Sequence, residues 1–231
     1  MLTILFLSFV AVMVILVVAL CARYLGGHTA MGIATALAVW LLYVGSIGYF
    51  GLIRNFAMRP PGAVFLFVPV VAFLLFFILR MRSDSAVRVA LAFPLALLLG
   101  TQVFRVIVEL FLHELWHAGL IPRMLTYAGA NVDIYVGASA PVIAWLATRL
   151  RSGMRLALIW NVLGLLALAN VVSRAVLTTP GPFHLINTEV PDLMIGTFPY
   201  MFIPGFFVPL AVVLHVLALR AITSTQRPER P

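Results

Sequence analysis

The chain has no lysine, a single cysteine and only seven acidic residues among 231. Charged residues make up 10% of it, against roughly 25% in a soluble domain. With 64% of residues hydrophobic, that scarcity excludes a soluble globular domain, a disordered chain and a coiled coil. The lone cysteine, Cys21, lies inside an apolar run, so no intramolecular disulfide exists. Also missing are a P-loop, a dinucleotide-binding glycine fingerprint, a Cys–His cluster, low-complexity tracts and repeats of 20–50 residues.

What is present is apolar sequence in helix-length pieces. Spanning about 30 Å of hydrocarbon takes about 20 residues of helix. Uncharged or nearly uncharged runs of that length recur at 2–22, 29–53, 62–79, 86–112, 132–148, 156–177 and 198–219. These predict an all-α, polytopic membrane bundle of about seven transmembrane helices, forming one domain over 1–231 with a short exposed tail at 221–231. The first run has no basic residue ahead of it and is long for a signal peptide, so it is read as an uncleaved span. Pro94 should kink the fourth run. Pro199, Pro204 and Pro209 should bend or partly unwind the start of the seventh.

The net charge of +8 comes from 15 arginines, nearly all of which flank apolar runs. In a membrane chain that pattern indicates topology, and it removes the case for a nucleic-acid partner. With seven spans, Arg23, Arg80, Arg82, Arg88, Arg149, Arg151, Arg155, Arg220, Arg227 and Arg230 share one side. The other side has Arg54, Arg59, Arg123 and Arg174. The arginine-rich side should be cytoplasmic, which puts the amino terminus outside and the carboxyl terminus inside. The expected partner is the lipid bilayer, and the expected location is a bacterial cytoplasmic membrane.

That topology gathers the polar chemistry on the outer face. His113, Glu114, His117, His184, Glu189 and Asp192 fall there, with Asp133 opening the fifth span. His28 falls in an inner loop. His215 is expected near the inner end of the last span, across the membrane from the rest.

His113-Glu114-Leu115-Trp116-His117 reads H-E-x-x-H. On a helix, positions i and i+4 share a face, so two imidazoles can meet one zinc ion while the glutamate acts as base on its water. These five residues resemble the zincin motif, including that of membrane-embedded metalloproteases. On that reading His113 and His117 are ligands and Glu114 is the catalytic base. His184 is the first candidate for a third ligand, with Asp133, Glu189 and Asp192 behind it. Asn131-Val132-Asp133 is similar to an Asn…Asp-Gly ligand element but lacks the glycine. The alternative is a solvated helix end beside the interfacial Trp116.

Arg105 and Glu109 form a second signal, one turn apart inside the fourth run. A charge near mid-membrane costs at least about 2.5 kcal/mol, so such groups pair and face the protein interior. Counting rise from Arg88 puts Arg105 in the outer half of the bilayer and Glu109 near its edge. The stripe 105, 109, 113, 117 drifts through only about 120°. A third signal is the small and polar stretch from Thr126 to Pro141, which includes Asn131 and Asp133. It suits close helix packing or a broken helix lining a cavity. Asn161 and Asn170 share one side of the sixth span and are read as packing residues.

Two functions follow. In the first, Arg105, Glu109, Asn131 and Asp133 form a polar intramembrane cluster for packing, a small ligand or a solute. The second is a zinc-dependent membrane hydrolase built on His113, Glu114 and His117.

Overall fold

The computed structural model describes residues 1–55, 58, 60–181 and 183–225, and among these the chain is all-helical, with no strand. Arg59, Arg227 and Arg230 lie outside the described residues. The helices are α1 (Leu2–Leu25), α2 (Gly27–Tyr49), α3 (Val64–Arg80), α4 (Asp84–Ala92), α5 (Leu95–His117), α6 (Asp133–Arg149), α7 (Gly153–Thr178) and α8 (Ile203–Thr225). Five of them, α1, α2, α5, α7 and α8, are long and apolar enough to cross a membrane. Helices α3 and α6 have 17 residues each, and α3 is bent by 100° against α4.

Local sequence explains the breaks. Gly26 joins α1 to α2 with φ 89°, a conformation that L side chains rarely adopt. Pro94 does more than kink the fourth apolar run; it divides it. The proline ring holds Phe93 extended, at φ −92° and ψ 136°, which ends α4 and lets α5 start afresh at Leu95. Ser83 caps α4, accepting from the Ala86 amide, and Asp84 sits in its first turn. Helix α8 opens with a π turn at Ile203–Phe207, where Pro204 falls. It continues through Thr225 with Ala221 and Ile222 buried, so the first five residues of the expected tail belong to a packed helix.

Prolines inside helices leave carbonyls without amide donors, which apolar surroundings penalise. Two of these carbonyls are met from α2. Pro69 frees the Phe65 carbonyl, which accepts from Tyr43 OH at 2.6 Å. Pro209 frees the Gly205 carbonyl, which accepts from Trp40 Nε1–H at 2.7 Å. These bonds tie α2 to α3 and α8. Phe6 of α1 is fully buried among Phe111, Tyr200 and Phe207, with ring centroids 5.0, 5.2 and 6.0 Å away.

Burial identifies the centre of the bundle. About half of α5 and 61% of α8 is buried, against 17% of α1 and of α2. Helices α5 and α8 therefore form the middle, with α6 and α7 packed against them.

Candidate functional site

At that centre buried polar and charged side chains from several helices meet. Arg105 lies ten residues from the start of α5 and twelve from its end, so it is near mid-helix. The helix that carries it begins at Leu95, not at Arg88. Arg105 is 2% exposed, and its guanidinium is held from three helices. Its Nε–H donates to Asp133 Oδ2 at 2.9 Å and its Nη2 to Asp133 Oδ1, a bidentate ion pair. Asp133 is the first residue of α6, where a carboxylate also meets the positive end of the helix dipole. Nη2 further reaches the Gly164 carbonyl of α7 at 3.4 Å.

Arg105 Nη1 donates to His215 Nε2 of α8 at 2.9 Å. A guanidinium only donates, so Nε2 accepts and the proton of the imidazole sits on Nδ1. Nδ1–H then donates to Asn161 Oδ1 at 2.7 Å, and Asn161 Nδ2 to the Ala157 carbonyl at 2.7 Å. His215 is thus a member of the network, not a residue across the membrane. Its span starts at Ile203 and ends at Thr225, so position 215 is central.

Asn131 supplies the remaining link. Its Oδ1 accepts from the Asp133 amide at 3.0 Å, and its Nδ2 donates to Glu109 Oε1 and to the Leu125 carbonyl. Glu109, Asn131, Asp133, Asn161 and His215 are all buried. Thr126–Pro141 is accordingly a tight turn followed by one unbroken helix, not a broken one. Gly137 and Gly164 make the approach possible. A Cβ on Gly137 would lie 2.8 Å from the Val106 amide nitrogen, and one on Gly164 would lie 2.6 Å from His215 Nε2.

Glu109 and Asp133 are the two polar residues on the wall of a cavity of about 60 Å³. Its other walls are apolar, from Phe67 of α3, Val172 of α7 and Val208 of α8 among others. Glu109 Oε2 is buried with no partner at hydrogen-bonding geometry, and the Tyr127 backbone amide acts on this carboxyl from the loop.

The two loops beyond the carboxyl end of α5 are tied to each other. The Leu193 amide donates to the Leu120 carbonyl at 3.1 Å, and Glu189 Oε1 accepts from the Arg123 amide at 2.6 Å. That amide holds the Glu189 carboxyl below its ordinary range. Asp192 is 1% exposed, accepts from the Met194 amide at 3.0 Å, and has its carboxyl pushed up to about 7 by burial.

The H-E-x-x-H residues form the last turns of α5. His113 and His117 do face each other, with Nε2 atoms 3.1 Å apart, and Tyr127 stacks on the His113 ring. Glu114 is exposed. His184 hydrogen-bonds Asn187 at 3.1 Å, and Glu189 and Asp192 serve the loop contacts above. Among the described residues no three His, Cys, Asp or Glu side chains converge where they could hold a metal ion. A zinc centre needs at least three protein ligands, so the hydrolase reading lacks its third.

Sequence reasoning missed Asn161 and His215 as network members, and the glycines that admit them. The available signal was electrostatic: a mid-span arginine needs acceptors from neighbouring spans. No curated protein and no solved structure matches the chain. A family model described as a domain of unknown function (DUF8737) matches residues 61–223, a stretch holding every member of the network and neither α1 nor α2. The chain belongs to that family.

Proposed function

We propose that the chain is a seven-span protein of the bacterial cytoplasmic membrane whose working part is a small-solute site at Glu109, Asn131, Asp133 and Arg105. One observation carries this reading: Glu109 Oε2, deep inside the bundle, has no partner and adjoins a cavity. Buried polar groups that serve packing alone are hydrogen-bonded, so an unpaired acceptor beside space marks room for something else.

Seven spans follow if α3 and α6, each about 25 Å long, join the five longer helices. In that arrangement α4 lies along the inner surface, with Asp84 and Arg88 exposed and Ala86 and Ala90 buried. The arginine distribution supports a cytoplasmic carboxyl terminus. The solute site then opens toward the outer end of α5.

The test is chemical access. In a Cys21→Ala background, Val172→Cys puts a thiol on the cavity wall and Leu42→Cys one on a lipid-facing surface. Aminoethyl methanethiosulfonate should modify the first and spare the second in intact membranes. Equal resistance of both thiols would reduce the network to a packing device.

A further inference from the structure

Glu109 is the unmatched charge of the network. Arg105 is neutralised by Asp133, and His215 and Asn161 satisfy each other, which leaves a second carboxyl with no guanidinium of its own. The groups facing Glu109 can be named element by element. Arg105 lies one turn before it on α5, Asp133 faces it from α6, and Asn131 with the Tyr127 backbone faces it from the loop. From α3, α7 and α8 come only apolar side chains, Phe67, Val171, Val172, Ala175, Ile203 and Val208 among them.

That environment selects the ligand. A hard metal cation needs about six oxygen ligands, and beyond the two carboxyls the wall is apolar. A polar solute needs several matched partners that this wall does not supply, whereas the cavity has room for water. The species that needs a single acceptor and travels on water is a proton.

We propose that Glu109 is a proton-exchange site, its Oε2 binding and releasing a proton to water in the adjoining cavity. The proposal rests on the solute-site reading and names the solute. In the loaded state the Arg105–Asp133 pair cancels and Glu109 is neutral. On release the proton passes from Oε2 to a cavity water, and the carboxylate keeps its Asn131 hydrogen bond while the network carries one net negative charge. A route outward starts at the same residue. One turn along α5, His113 Nδ1 is also buried without a partner, and its Nε2 faces the exposed His117. Two unpartnered polar atoms are thus spaced one turn apart along α5 toward the exposed His117.

Infrared difference spectroscopy of the full chain in lipid bilayers reads this directly. An acid-to-alkaline titration should remove a protonated-carboxyl C=O band that shifts when water is replaced by D₂O. Glu109→Gln should abolish that band. Asp192→Asn should leave it in place and remove only the separate contribution of Asp192. Should Glu109→Gln fail to fold, Glu109→Asp should retain a titrating band at a displaced frequency. A titrating band that survives in the Glu109→Gln, Asp192→Asn double variant, or one that is unmoved in D₂O, overturns the proposal. So does a titration that shifts when choline replaces sodium, which would make the ligand a metal cation. Modification of Val172→Cys without a Glu109 band would keep the solute site and remove the proton.

Discussion

Replacing Asp133 with asparagine keeps the size of the side chain and removes one charge. The residue left behind is the problem: Arg105 is 2% exposed near the middle of a 23-residue apolar helix. Asparagine offers the guanidinium one acceptor oxygen where aspartate offered two. Two unit charges about 4 Å apart at an effective dielectric of about 20 attract by about 4 kcal/mol. Removing one partner of a buried ion pair costs about 3–5 kcal/mol, so both routes reach the same size. Asp133→Asn should therefore lower the stability of the protein by about that amount, read as the shift in SDS-driven unfolding from mixed micelles. Glu109 is the other carboxyl coupled to Arg105 and can assume part of the charge. Combining Asp133→Asn with Glu109→Gln should accordingly cost more than the two single losses added together. A cost below about 1 kcal/mol for Asp133→Asn would refute the reasoning, because exposed ion pairs are worth that little.

Other outcomes follow from the same geometry. Gly164→Ala and Gly137→Ala force a methyl group against His215 and the Val106 amide, and each should cost about 1–3 kcal/mol or more in the same unfolding assay. Gly100→Ala, whose Cβ would meet Ala144 at an ordinary 3.6 Å, should cost little. Asp192 titrates in the folded chain at about 7, above the ordinary 3.8. Folding thus favours its protonated form, so its contribution to stability is full below about pH 3.8 and is lost as pH rises to about 7. The difference in melting temperature between wild type and Asp192→Asn should change across that window and level off above it; a flat difference would show that the carboxyl is hydrated. Elemental analysis of purified protein should find the same background zinc in wild type and His117→Ala. Stoichiometric zinc lost in the variant would restore the metal reading.

The polar residues that could be located from sequence are those whose cost is local. Arg105 and Glu109 interrupt an apolar run and sit one turn apart, and Asn131 and Asp133 open the next helix, so each is conspicuous alone. His215 and Asn161 are not, because one histidine or asparagine in a span is affordable by many arrangements. Their roles arise from the approach of α7 and α8 to Arg105, which Gly137 and Gly164 permit and which no period in the chain encodes. The break in the fourth apolar run was hidden for a related reason. Hydropathy cannot tell one kinked helix from two separate helices, and Pro94 with an extended Phe93 makes it the second. The H-E-x-x-H spacing does bring two imidazoles together, as any i, i+4 pair on a helix can. A third ligand has to come from elsewhere in the fold, beyond the reach of a five-residue motif.

The central claim is that Arg105 organises the interior by donating to Asp133 on one side and His215 on the other. Nitrogen NMR of histidine-labelled protein in lipid, with His215→Gln to assign the signal, reads the second of these contacts. At neutral pH the account predicts that His215 carries its proton on Nδ1 and none on Nε2. A proton on Nε2, whether as the other tautomer or as imidazolium, would leave Arg105 Nη1 without its acceptor and contradict the network.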